Sequence, residues 1–594
     1  MKNVVTFIIS QQIFNLKNNG KLMTFKKTIL TAFIGLLLII SGLAITVKIL
    51  MPPGKTPEPG KQWPTLSLAP DLPEALRGSD EGMLLAPKNP ELADGVNPLP
   101  HGDPAQQDAT AIKGPIDISR RLEPGEIVYK FLGPGPLGAY TSGIYPDGRR
   151  VIWVNGVSGL YKLDSETYEI LAHLPSDKSD KYNQAWAEKI TASLDKNNSI
   201  WNLPTAMKAI GTLTDLSGVY CVVGKNGWIY IANKDGSLQA YGDKFDGDAD
   251  SEIVEKAIFR IPEIASGPTV GMNMTYDGWI VYPTENGYLI AISSDLKNYH
   301  MIRLNFADKE DTGSLGVGRG WVRNSIAVDD EGGIYVVSRK HVHKVVWTGN
   351  GFSKNEKDGA WVAEYRNSEG GGSGATPALM GFGDEDQLIA LTDGDNLMNI
   401  TLMWRGEIPE DWEQLHGAPS RRIAGLAPVT MGSLNLEKIQ SEQTVIVAGY
   451  GVLVVNNQPR NVPNFMPKDG GVNGLFIGPL GSNPDIQPYG VQKFQWDPET
   501  RKIYSAWVNV DASSPNGVPW VSLGSRQVYF IGARNNEWTL EALNWDTGDE
   551  TFHYIIGGQK FNNQFSGPTI DEKGRIFYGT MWGRALLKPE VTGK

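Results

Sequence analysis

The sequence predicts an all-β chain built from repeated small antiparallel sheets, and three observations predict it. Glycine (68 residues) and tryptophan (17) are both plentiful while charged residues are only 20%, a mixture suited to short strands joined by tight turns. One strand–turn–strand pattern returns along most of the chain after residue 125. Each copy places Asp and Gly where a hairpin needs a local hydrogen bond and a positive φ.

The pattern reads first in Ile144-Tyr145-Pro146-Asp147-Gly148, leading to the strand from Val151 to Gly156. It recurs in VVGKNGWIYIANKDG (222–236), MTYDGWIVYPTENG (274–287) and AVDDEGGIYVVS (327–338). GFGDEDQLIALTDGD (381–395), QWDPETRKIYSAWV (495–508) and the run Asp571–Gly579 repeat it, and a weaker copy falls near 431–457. A third strand often follows (GLYKLDS, GYLIAIS, HVHKVVW), then a more polar fourth. Four-stranded units in series, each unable to bury both faces alone, predict a β-propeller. Residues 126–594 then hold eight blades, alternatively seven. The strand Glu126–Phe131 is expected to complete the last blade and lock the ring.

Ahead of the ring, Thr28–Val47 (TILTAFIGLLLIISGLAITV) carries no charge over twenty residues, the length that crosses a ~30 Å hydrocarbon core. Lys21, Lys26 and Lys27 precede it, so the positive-inside rule puts residues 1–27 in the cytoplasm and the rest outside. The predicted location is the inner (cytoplasmic) membrane, single-pass, with the propeller periplasmic in a Gram-negative cell. The competing reading is a cleaved signal peptide ending near Gly42-Leu43-Ala44, and Met23 is an alternative start to Met1. Residues 48–125 follow; 14 of the chain's 37 prolines fall between Pro52 and Pro124. Proline fixes φ and lacks an N–H, which predicts an extended stalk.

Composition excludes some partners. A net charge of −11 without a basic stripe excludes nucleic acid. The lone cysteine, Cys221, excludes an intrachain disulfide and a CxxC haem or zinc site. No GxSxG, P-loop or HExxH motif occurs, and Gly316-Val317-Gly318-Arg319-Gly320 lacks the strand–helix context of a dinucleotide loop.

Two sets of residues are candidates for a site. Asp246, Asp248, Asp250 and Glu252 alternate as hard-cation ligands do, which makes them a candidate calcium loop. The EF-hand pattern fails at Ser251 and Ala257, so a solvated acidic turn is the competing reading. The histidines are scattered; His341 and His343 share a strand face, a pattern read as polar positions on outer strands. The second set comes from a resemblance. Ser566-Gly567-Pro568-Thr569 with DEKGRIFYGTMWG (571–583), TYDGWIVYPTENGYLIAIS (275–293), and the blade starts Ser266-Gly267-Pro268-Thr269 and Ser373-Gly374-Ala375-Thr376-Pro377 resemble the PQQ-repeat, quinoprotein-alcohol-dehydrogenase-like propeller superfamily over about 126–590.

That resemblance implies that the innermost strands begin on the ligand-bearing face. Ser266, Thr269, Ser373, Thr376, Ser566 and Thr569 would then ring the channel mouth, unless they serve only backbone groups at the strand starts. Inserts at about 175–210, 457–488 and 508–525 would roof that face. The superfamily contains quinone-dependent enzymes and quinone-free scaffolds; no PQQ-binding, calcium-binding or catalytic residue maps onto this chain. The expected function is a membrane-anchored, extracytoplasmic ligand-binding or scaffold propeller, its partner a small molecule or an envelope protein. The alternative is a channel-based enzyme, either a PQQ-type oxidoreductase or a calcium-dependent lactonase-like hydrolase.

Overall fold

The Asp–Gly turns close as their chemistry requires. Asp571 Oδ1 accepts the Arg575 N–H at 2.8 Å and Gly574 supplies φ +76°. Asp329 Oδ1 accepts the Gly333 N–H, with Gly332 at φ +86°. In this computed structural model, which describes residues 63–78, 84–265, 267–269, 271–307, 321–369, 371–383, 386–436, 438–462 and 470–589, such turns join eight sheets. Each is built on an antiparallel meander of four strands running from the inner edge outward; one sheet carries a fifth strand and another two parallel additions at its edges. Blades 1 to 7 span 140–175, 221–260, 273–303, 327–364, 378–428, 446–509 and 520–557. Blade 8 takes its three inner strands from 569–587 and its outermost strand from Ile127–Phe131.

That last pairing is the expected lock. Ile127 to Phe131 run antiparallel to Leu587 to Gly583, joining the start of the propeller to its end. Apolar clusters fill every gap between neighbouring blades. Trp153 and Ile231 pack between blades 1 and 2, Tyr230 and Ile290 between 2 and 3, and Val281 and Val336 between 3 and 4. Tyr335 and Leu391 join blades 4 and 5, Leu402 and Val452 join 5 and 6, and Val455 and Phe530 join 6 and 7. Tyr554 and Tyr578 link 7 to 8, and Leu586 and Val154 link 8 back to 1. The ring is closed.

Eight blades are present, but one copy in the sequence belongs elsewhere. QWDPETRKIYSAWV is the outer hairpin of blade 6, Val491–Asp497 against Lys502–Asn509. The blade that the repeat does not flag is blade 7. Its first turn, Leu523–Arg526, has no Asp, and its central hairpin turns at Asn535-Asn536, both left-handed (φ 50° and 67°), with no Gly. Asparagine tolerates that conformation through its short polar side chain.

The proline-rich residues expected as a stalk lie against the ring wherever they are described. Leu92, Leu99 and Ala105 are buried. Ala109–Thr110 adds in parallel to the innermost strand of blade 7, and Arg120–Arg121 adds to its outermost strand. Among the described residues no helix is long and apolar enough to cross a membrane. The segment 28–47 lies outside the described residues.

Candidate functional site: a channel closed at one end

The innermost strand of a propeller blade has an unpaired edge facing the central axis. Its N–H and C=O groups need partners from water, ligand or chain. Here residues 97–110 supply them. The carbonyls of Asn97 and Pro98 accept from the N–H groups of Thr141 (blade 1) and Val223 (blade 2) at 2.9 and 2.7 Å. Pro104 and Ala105 accept from Val328 (blade 4) and Leu379 (blade 5), and Gln107 and Asp108 from Val447 (blade 6) and Val521 (blade 7), all within 3.0 Å. For blade 3, Asn89 Nδ2 donates to the Met274 carbonyl at 3.0 Å. These contacts fall at the ends of the inner strands, beside the turns to the second strands, so one end of the channel carries a plug.

The plug is polar and held under backbone strain. His101, Gln106 and Asp108 are left-handed (φ 64°, 62° and 54°), as is Gly102. His101 Nδ1 sits 2.8 Å from Asp108 Oδ2. Burial pushes the Asp103 carboxyl up to about 7, against hydrogen bonds from backbone N–H groups that favour its charged form. Asp108 is raised too, chiefly by burial, with His101 opposing.

Above this floor the wall carries Tyr220 of blade 2, its hydroxyl close to Thr376 of blade 5. Burial raises its pKa; Arg323 opposes and Asp108 adds to the rise. Arg323 reaches Glu442 Oε2 at 2.6 Å and stacks over Trp321 at 5.6 Å. Glu285 on the third blade is raised by burial and lowered by Arg323 and Lys234. The mouth is thus lined by an arginine, two carboxylates and a phenol. Sequence reasoning passed over Tyr220 and Arg323. The signal was register: each lies within a few residues of the start of an inner strand, where a side chain can face the axis.

The three inserts do come together. Helices α1 (Gln184–Lys196), α2 (Leu203–Gly211) and α3 (Gly470–Ile477) pack through Leu194, Ala206, Leu480 and Trp582. Asn516 of the third insert donates to the Ile477 carbonyl at 2.6 Å. They pack against blade 7, where the Ala533 carbonyl accepts from Gln487, and against blade 8 through Trp582.

The residues singled out by sequence sort differently. Ser566 Oγ accepts the Gly579 N–H and donates to the Leu137 carbonyl, both at 2.9 Å. Ser373 Oγ accepts from Ala375, and Thr269 Oγ1 donates to the Asn233 carbonyl. Thr569 is buried in its strand, and Ser266 lies outside the described residues. Of the five that are described, Thr376 is the one that lies close to the channel cluster. The acidic loop lies on the opposite face, in the turn between the third and fourth strands of blade 2. Its carboxylates diverge to separate partners: Asp246 to Lys256 (2.8 Å), Asp250 to Arg149 (2.6 Å), Glu252 to Lys244 (2.9 Å). Asp248 Oδ1 accepts the Asp250 N–H.

His343 is buried, its Nε2 2.9 Å from Ser338 Oγ. Among the described residues one carboxylate–histidine group does converge, Glu541, Glu550 and His553 on blade 7. Arg534 stands between both carboxylates at 2.6 and 2.7 Å, in the place a metal ion would take.

The chain matches no protein-family model. Over 486 residues it is 33% identical to an uncharacterized protein of Archaeoglobus fulgidus, covering 80% of this chain and 84% of that one. The chain belongs to that protein's family. Among solved structures it is similar to a quinohemoprotein alcohol dehydrogenase from Comamonas testosteroni (12% identity, 82% of this chain and 77% of that one, TM-score 0.48). It is also similar to the quinohemoprotein alcohol dehydrogenase ADHIIG of Pseudomonas putida HK5 (12%, 86% and 84%, TM-score 0.47). BamB from Moraxella catarrhalis shows a weaker likeness (11%, 60% and 83%, TM-score 0.35).

Proposed function

We propose that this protein is a membrane-anchored propeller, held outside the cytoplasmic membrane, that binds a small molecule or an envelope protein at the open mouth of its channel. One observation carries the reading: residues 97–110 of the chain itself occupy the inner edges at one end, so the channel works as a one-ended, polar-walled pocket. Such a pocket offers Arg323 to an anionic group, with Tyr220 and Glu442 to orient it. The anchor rests on the uncharged run 28–47 and the lysines before it.

The test is native mass spectrometry of the full-length protein extracted from its own membranes, with Arg323→Ala and Tyr220→Phe beside the parent. A bound mass present in the parent and lost from Arg323→Ala supports the reading. A bound mass that survives both substitutions overturns it. A quinone absorbance band that follows the protein through purification replaces it with the oxidoreductase reading.

A further inference from the structure

In an antiparallel meander the connections between strands two and three, and between successive blades, share one face. Exposed apolar side chains gather there. The link from blade 1 to blade 2 carries Trp201, 84% exposed, and Met207. Ile264, Phe306, Leu434 and Val510 stand exposed in the links after blades 2, 3, 5 and 6. On the opposite face Ile144 and Phe245 stand exposed in the turns of blades 1 and 2, and Leu84, Ile116 and Ile118 in the N-terminal segment that crosses it. A tryptophan this bare, with apolar groups on five of the links around one face, marks a surface that meets something other than water.

The chain's own course says what that is. The first described residues lie at the rim of this same face. The Arg366 guanidinium, in the link from blade 4 to blade 5, stacks over Trp63 at 5.6 Å and donates to the Pro64 carbonyl at 3.3 Å. Only the fifteen residues 48–62 separate Trp63 from the apolar run 28–47, a reach of about 50 Å at full extension. Helix α2 presents Met207 and Lys208 outward while Ala206 and Ala209 are buried, the division an interfacial helix needs.

We infer that the face bearing Trp201, Met207, Ile264, Leu434 and Val510 rests on the lipid surface of the membrane that anchors the chain. The inference rests on the anchored reading above and adds which side of the ring faces the bilayer. The mouth of the channel opens within the same face, so what reaches it comes from the membrane side.

Full-length protein in phosphatidylcholine vesicles tests this. Cys221 is buried, so a cysteine placed by Met207→Cys, Leu434→Cys or Ile144→Cys takes an environment-sensitive dye alone. Acyl chains brominated near the headgroup should quench the dyes at 207 and 434 several-fold more than the dye at 144. Vesicle flotation reads the anchor separately: protein that does not float removes the anchored reading. Protein that floats with equal quenching at all three sites overturns the face assignment. Shielding of 207 and 434 in detergent without vesicles, rising with protein concentration, assigns the face to a second copy of the chain and also overturns it.

Discussion

The Val521 amide of blade 7 donates to the carbonyl oxygen of Asp108 at 2.9 Å, across 413 residues of sequence. The bond is one of six that fasten a single short segment to the inner edges of different blades. Because Asp108 is left-handed and hydrogen-bonded to His101, the plug turns inside the channel instead of running through it.

Gly102 tests the plug. Its φ is +81°, and a Cβ there would lie 2.6 Å from the Trp520 ring. Gly102→Val should cost about 2 kcal/mol or more through backbone strain and overpacking. The checks are a lowered melting temperature and faster proteolysis between residues 95 and 110. A variant that melts with the parent would mean the plug contributes little.

Lys162 and Asp243 form a buried ion pair between blades 1 and 2 at 2.6 Å, with Tyr145 donating to the same carboxylate and Lys162 to the Ser251 carbonyl. Lys162→Met leaves Asp243 charged and buried, and should cost roughly 3–5 kcal/mol. Adding Asp243→Asn should recover part of that loss. Denaturant midpoints of the parent, single and double variants check both statements, and no recovery in the double variant refutes the mechanism.

Two buried groups pull stability in opposite directions with pH. Asp103 has its pKa raised from 3.8 to about 7, so its contribution is full below about pH 4 and is lost as pH rises to 7. His343 is held neutral, its pKa lowered from 6.5 to about 3 chiefly by burial, so its contribution is present above 6.5 and lost as pH falls toward 3. Asp103→Asn should therefore flatten the fall in melting temperature between pH 4.5 and 7.5. His343→Gln should flatten the fall on acidification. Profiles parallel to the parent's would show that neither group titrates on unfolding.

Calcium should leave the melting curve unchanged. An ion bound only by the folded state at a hundred times its Kd adds about 2.7 kcal/mol. Asp246, Asp250 and Glu252 already face Lys256, Arg149 and Lys244. Curves in chelator and in millimolar calcium should superimpose, and a shift abolished by Asp248→Ala would restore the metal reading.

The sequence by itself determined the ring. Asp–Gly turns and β-branched strands are local signals, and they repeat because each blade solves the same folding problem. The closing strand Ile127–Phe131 was legible for the same reason: it is the outer strand that the last copy lacks. Blade 7 escaped notice because its first turn, Leu523–Arg526, lacks Asp and its second, Asn535-Asn536, lacks Gly. What only the tertiary structure decided is where the unrepeated parts go. Proline-rich composition foretells an extended backbone, but the segment 97–110 is mostly bends and turns, left-handed at His101, Gly102, Gln106 and Asp108. No local pattern says that unpaired inner edges, brought together from residues 141 to 521, will capture its carbonyls. Tyr220, Arg323 and Glu442 likewise meet only because three blades face one axis. Trp201 and Leu434 share a face because every link between blades returns to it. Strand periodicity fixes a blade from within, whereas site and surface depend on closure of the ring, which sets far-separated residues side by side.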